Sequence, residues 1–241
     1  GAEAPFLRPA ELAGDQSADI EWLQYTLGRL QDAGRTYDCF SILRPTSPFR
    51  LPETIQRAWH EFSTQIGVDS LRAVEKCRQH PGKMWVVRGK RMMPLLPLGP
   101  AEKPWHSCQY PSLPEVYVQN ASLEIAWSRV VLEGHTIAGN VIMPFFTTDY
   151  EGFDVNNGYD WQLAEHMGQN GIAKLPRITQ PAYPGKLFTA ELAEIAEALH
   201  PVAVAAAVGI TGAEGLAHGH GHVAVALAVG VTGAGPPGLV G

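Results

Sequence analysis

Apolar positions along the first part of the chain recur at two different periods. Between Asp15 and Gln31, Ile20, Leu23, Leu27 and Leu30 fall three or four residues apart, which predicts an amphipathic helix. Asp15 and Ser17 stand where its cap belongs, and Gly34 stands where it should stop. Asp38 to Leu43 is a short apolar run of buried-strand type. Pro52-Glu53 then opens a second helix with Ile55, Ala58, Trp59 and Phe62 on one face; proline at the first helical position and an acid in the first turn both suit a helix start. Asp69 to Lys76, Lys83 to Arg88, Tyr117 to Trp127 and Val141 to Phe146 read as strands, the proline-rich stretch Met92 to Trp105 as a surface loop, and Asn157 to Met167 as a closing helix. Alternating strands and helices predict an α/β class with a largely parallel sheet.

Beyond this the pattern changes. The first 170 residues read as one domain, 171–186 with Gln180-Pro-Ala-Tyr-Pro-Gly185 as a linker, and 187–241 as a tail rich in Ala, Val and Gly that holds a short helix from Thr189 to Leu199. Val202-Ala-Val-Ala-Ala-Ala-Val-Gly-Ile-Thr-Gly-Ala213 recurs as Val223-Ala-Val-Ala-Leu-Ala-Val-Gly-Val-Thr-Gly-Ala234. Two copies are too few for a self-supporting solenoid, so the tail reads as low-complexity sequence. His218, His220 and His222 would share a face if extended, but the glycines between them leave the imidazoles unoriented.

Composition narrows the function classes. A net charge of −6 over 241 residues argues against a nucleic-acid binder, while leaving room for a local basic pocket. Cys39, Cys77 and Cys108 are odd in number and unclustered, as expected of reduced thiols in a cytoplasmic protein. No run reaches the roughly 20 apolar residues of a membrane helix. The opening Gly1-Ala-Glu-Ala-Pro-Phe6, without Met, reads like the interior of a domain, so the chain is expected to be truncated at its N-terminus.

Several polar groups stand where a sheet would present them to a ligand. Arg44-Pro-Thr-Ser-Pro48 follows the apolar run Cys39 to Leu43, so backbone N–H groups and hydroxyls sit at a strand's C-terminal end, where open α/β sheets bind ligands. The same residues would also serve as a stiff turn with Thr46 or Ser47 as cap. Arg8 and Asp15 flank a tight segment before the first helix, suited either to an anion or to a mutual ion pair. Asp154 and Asn156, two apart in an extended segment, share a face and offer oxygens of the kind Mg²⁺ takes; Asn156 or Asn157 would equally cap the following helix. Tyr110, Tyr117, Gln119 and Asn120 supply hydroxyl and amide groups fit for a polyhydroxylated ligand, or for a half-solvated strand.

Taken together, Gly1 to Asp15, Leu43-Arg-Pro-Thr-Ser-Pro-Phe-Arg50, Leu113-Pro-Glu-Val-Tyr-Val-Gln-Asn-Ala-Ser-Leu-Glu-Ile125 and Phe153-Asp-Val-Asn156 with Asp160-Trp161 resemble, in order and spacing, the acylneuraminate cytidylyltransferase family. The resemblance covers about residues 1 to 170. It implies a Rossmann-like nucleotidyltransferase of three αβα layers, lacking its phosphate-loop segment at the N-terminus. It implies transfer of CMP from CTP to a nonulosonic 2-keto sugar acid with Mg²⁺, in a cytoplasmic enzyme that commonly pairs as a homodimer and engages neither nucleic acid nor membrane. Arg8, Ser17, Arg44, Thr46 and Ser47 would lie near the nucleotide, Tyr110, Tyr117, Gln119 and Asn120 on the sugar side, and Asp154 with Asn156 at the metal. Sialic-acid enzymes usually carry Gln at the place of Arg44, Arg at Val118 and Asp at Asn156, so the cation for the sugar carboxylate is missing at Val118. Without its phosphate loop the chain is expected to be inactive by itself; the alternative is a degenerate member that binds a sugar or a partner without turnover.

Overall fold

Cys39 on one side of a strand, with Phe40 and Ile42 on the other, decides the architecture. The computed structural model of the chain describes residues 5–14, 16–177 and 223–226, the last four as backbone only. Strand β1 (Cys39–Ile42) is buried along its whole length. Helix α2 (Pro52–Thr64) covers the Cys39 face, where Ala58 and Phe62 pack with Leu71, Leu123, Ile125 and Phe145. Helices α1 (Asp19–Asp32) and α3 (Ser128–Leu132) cover the other face, where Trp22, Leu23 and Leu27 meet Phe40, Ile42, Ala126 and Val131. A strand buried from both sides reads as a near-continuous apolar run, broken here only by Ser41, whose hydroxyl donates to the Glu124 carbonyl at 2.9 Å. The fold is α/β in three layers.

The sheet is mixed. Its order is β6 (Ile142–Phe146), β2 (Ser70–Lys76), β5 (Tyr117–Trp127), β1 and β7 (Val223–Ala226). β5 runs antiparallel to β1, with Cys39 opposite Trp127 and Ile42 opposite Glu124. β7 runs parallel to β1, with Val223 beside Cys39 and Ala226 beside Ile42. The largely parallel sheet expected from alternation fails at β5, an 11-residue strand entered directly from a loop and not through a crossover helix.

Contacts divide the chain into one unit of residues 1–73 with 120–241 and a second of residues 74–119. In the second, β3 (Trp85–Arg88) and β4 (Arg91–Pro94) form an antiparallel hairpin. This corrects the surface loop expected from Met92 onward: Met92 to Pro94 are strand, because the prolines begin only at the strand's last residue. In the same unit His80 is buried; its Nδ1 accepts the Gly82 N–H at 3.0 Å while Nε2 lies 3.1 Å from the Pro114 carbonyl oxygen.

One cap assignment also changes. Ala18, not Ser17, precedes α1, and the Glu21 carboxylate accepts its N–H at 3.3 Å. Ser17 sits in the preceding turn, accepting the Gly14 N–H. Asp15, the helix expected at Thr189 to Leu199, the first repeat copy and the three tail histidines lie outside the described residues.

One glycine fixes the approach to β6. Gly139 has φ +70°, and a Cβ on it would lie 2.4 Å from the Asp69 side chain, which accepts the N–H groups of Asn140 and Val141 and pairs with Arg129. Gly139→Ala is therefore expected to cost about 2 kcal/mol of stability through left-handed strain and overlap, measured by urea unfolding.

Candidate functional site at the C-terminal end of β1

Leaving β1, the chain enters the turn Arg44 to Arg50, which is held in place by a buried guanidinium and by a backbone hydrogen bond from Val155. The Arg50 guanidinium donates through Nη1 to the Arg44 carbonyl at 3.1 Å and to the Ser122 carbonyl of β5. It is 6% exposed, and burial pulls its pKa down to about 10. The Val155 N–H donates to the Thr46 carbonyl at 2.9 Å, which fastens the Asp154 segment to the same turn. Ser47 and Ser122 are buried with hydroxyls that have no hydrogen-bond partner, and so is one carboxylate oxygen of Asp154, Oδ1. Orphaned buried polar atoms are costly and uncommon, and three of them on segments fastened together mark a place built to meet something polar.

A row of charges runs beside this turn. Arg44 pairs through Nη2 with Asp19 at the start of α1 and, at 3.6 Å, with Glu124 of β5. Glu124, 5% exposed, also pairs with Arg72 of β2. Asp19 Oδ1 accepts the Trp22 indole N–H at 2.9 Å, and the Arg8 guanidinium lies 5.9 Å over the Trp22 ring. Burial works to raise the Asp19 pKa, but the hydrogen bonds from Arg44 and Trp22 outweigh it and hold the group below its ordinary 3.8. For Glu124 the balance reverses: burial pushes the carboxyl above its ordinary 4.5 despite the pull of Arg72 and Arg44.

The sequence-predicted residues fall into three groups. Arg44, Thr46, Ser47 and Asp154 come together at the turn, and Arg8 reaches its edge through Trp22. Asn120 donates from Nδ2 to Thr147 Oγ1 at 2.9 Å in the turn after β6. That turn is tied to α2 by Glu151, which accepts from Thr54 Oγ1 and Arg57 Nη2, each at 2.6 Å. Tyr110, Tyr117 and Gln119 belong to the second unit, where Tyr110 and Tyr117 are exposed and the Tyr117 hydroxyl donates to Glu115 at 3.2 Å. Ser17 is spent on its own turn. At the metal candidate, Asn157 is the cap of α4 (Gly158–Gln169), accepting from the N–H groups of Tyr159 and Asp160, so Asn156 is released from that role. Its own N–H donates to Asp160 Oδ2 at 3.0 Å. Among the described residues no group of three or more His, Cys, Asp or Glu gathers as a metal site.

Sequence reasoning passed over Asp19, Arg50, Arg72, Ser122 and Glu124. Glu124 did carry a signal, a carboxylate inside the apolar run Leu123-Glu-Ile125. A charge at the centre of a buried strand requires a partner.

No protein-family model matches the chain. A similar protein is the CMP-N,N'-diacetyllegionaminic acid synthase of Legionella pneumophila (strain Philadelphia 1), 27% identical over 173 residues that cover 69% of this chain and 69% of that protein.

Proposed function

We propose that the chain is a cytidylyltransferase of the CMP-nonulosonate type, transferring CMP from CTP to a 2-keto sugar acid and releasing pyrophosphate. The observation that carries this reading is the meeting of Arg44, Ser47, Ser122 and the unpartnered Asp154 oxygen at the C-terminal end of β1, the edge where such sheets bind nucleotides. The similarity to a CMP-nonulosonate synthase supports it.

Each group has a task in that reaction. The sugar's anomeric hydroxyl attacks the α-phosphorus in line with the departing pyrophosphate, so the protein's work is positioning and charge neutralisation. Arg44, with Thr46 and Ser47, holds the nucleotide side, and Arg8 lies beyond it. Asn120 is assigned to the sugar; Tyr110, Tyr117 and Gln119, assigned to it by the family resemblance, belong to the second unit. Asp154 Oδ1, buried and without a partner, suits a divalent cation, and Asp154 with the amide oxygen of Asn156 would hold Mg²⁺ as the few protein ligands that ion takes beside phosphates. When bound, the ion would supply charge neutralisation at the α-phosphate.

The test is pyrophosphate release from CTP and Mg²⁺ over a panel of nonulosonic acids, run on this chain and on a fusion that adds a phosphate-loop segment ahead of Gly1. Release with one acid names the substrate. Silence in both proteins overturns catalysis and favours a non-catalytic sugar binder.

A homodimer belongs to the same proposal. The hairpin β3–β4 leaves Val87 67%, Met92 58% and Met93 53% exposed, more apolar surface than a lone hairpin keeps in water. Residues 74–119 carry seven Lys and Arg against three Asp and Glu, while the rest of the chain carries eleven against 21. A basic, apolar surface on an acidic chain suits a second copy. The protein is expected to sediment as a dimer, and Val87→Asp with Met92→Asp to give monomers; a wild-type monomer at tens of micromolar rules the pairing out. A cytoplasmic setting agrees with the free thiols Cys39, Cys77 and Cys108, and no helix among the described residues is long and apolar enough to cross a membrane.

A further inference from the structure

Arg44 is held by two carboxylates of different standing. Glu124 is almost wholly buried, lies on a central strand and is also engaged by Arg72. Asp19 sits at the first position of α1, with its side chain 26% exposed against 34% for Arg44. The four charges of Arg44, Arg72, Asp19 and Glu124 cancel when ionised, so an anion arriving at Arg44 meets a cation already neutralised. Of the two carboxylates only Asp19 is free to give way, since moving Glu124 would strand Arg72 inside the protein. Asp19 would also keep a favourable place without Arg44, because the unpaired N–H groups at the start of α1 and the Trp22 indole favour an anion there.

We propose that Asp19 is a resident counter-anion that an incoming phosphate-bearing ligand displaces from Arg44, while Glu124 keeps the guanidinium in position during the exchange. The proposal rests on the reading of the β1 turn as an anion-binding site and adds a residue that sets the site's affinity. Asp19 makes the empty site electrically quiet and makes binding an exchange of one anion for another. A ligand with a single weak charge would then fail where a di- or trianion succeeds, because only the latter out-competes a carboxylate already in place.

The experiment uses inorganic pyrophosphate as probe, by calorimetric titration of the wild type and of Asp19→Asn. Asparagine keeps the size of the side chain and an acceptor for Trp22, and removes only the charge. Pyrophosphate should bind Asp19→Asn about two- to fivefold more tightly, the scale of a partly exposed ion pair. A second measurement needs no variant. The Asp19 carboxyl carbon, followed by NMR across acid pH, should titrate at a higher pH once pyrophosphate is saturating, because Asp19 has lost Arg44. The charged groups around it are Arg44, Arg72 and Glu124, with Arg8 over the Trp22 ring and the Glu21 carboxylate turned to the Ala18 N–H. Equal affinity in the two proteins with an unmoved Asp19 titration overturns the exchange and leaves the site reading intact. Failure of pyrophosphate to bind either protein overturns both. If Asp19→Asn does not fold, the wild-type titration decides alone.

Discussion

Removing the Glu124 carboxylate, as in Glu124→Ala, is expected to destabilise the protein by about 3–5 kcal/mol in urea unfolding and to abolish binding of CTP. Two guanidiniums depend on that carboxylate: Arg72, whose side chain is 11% exposed and whose ion-pair partner is Glu124, and Arg44, which shares it with Asp19. Deleting one partner of a buried pair costs far more than the pair contributes, because the stranded charge remains in a low-dielectric place. Glu124→Gln should fall short of that loss, since the amide keeps an oxygen that can accept from Arg72 and Arg44. The pH dependence carries the same signature. A carboxyl whose native pKa is raised binds its proton more tightly folded than unfolded, so its contribution is fully present below 4.5 and is lost as pH rises through the native value. Asp19, held below 3.8, contributes in the opposite sense, present above that value and lost as pH falls through its native one. Wild type and Glu124→Gln should therefore differ in the slope of stability against pH above 4.5. Identical slopes would show that Glu124 ionises in the fold as it does in the unfolded chain.

Asp154→Asn is expected to uncouple stability from function. The Oδ1 atom is buried and makes no hydrogen bond, so the fold gains nothing from its charge, and the variant should match or exceed the wild type in thermal stability. The strengthening of CTP binding by Mg²⁺ should fall about tenfold or more, because the carboxylate proposed to meet the ion has gone. Calorimetric titration of CTP with and without Mg²⁺ checks this. An unchanged Mg²⁺ effect would remove Asp154 from the metal site, and a large loss of stability would show that its orphaned oxygen has a structural partner.

Much of the fold was legible because its signals are local. The period of Leu23, Leu27 and Leu30 and the proline at position 52 predicted α1 and α2, and the mostly apolar run Cys39 to Leu43 predicted a buried strand. The direction of β5 was not legible, since an 11-residue strand has the same pattern whichever way it runs. Met92 and Met93 were lost to the prolines that follow them. At the site, the turn at Arg44 to Ser47 was readable from its stiffness and its place after a strand. Its supporting charges were not, because Asp19 reads as an ordinary first-turn acid and Arg50 as an ordinary surface cation until β5 is laid beside them. Pairing across a sheet is information that no window of sequence contains.

That pairing has a kinetic side. The bond from Arg50 to the Ser122 carbonyl spans 72 residues, and the bond from Thr54 to Glu151 spans 97. Contacts between such distant parts of the chain form late, after loop-closure entropy has been overcome. The turn that follows β1 can thus acquire its final shape only when most of the domain is already folded. Recovery of CTP binding during refolding should lag behind the recovery of helical circular dichroism. Under the proposed function, a nascent or partly unfolded chain would not sequester nucleotide.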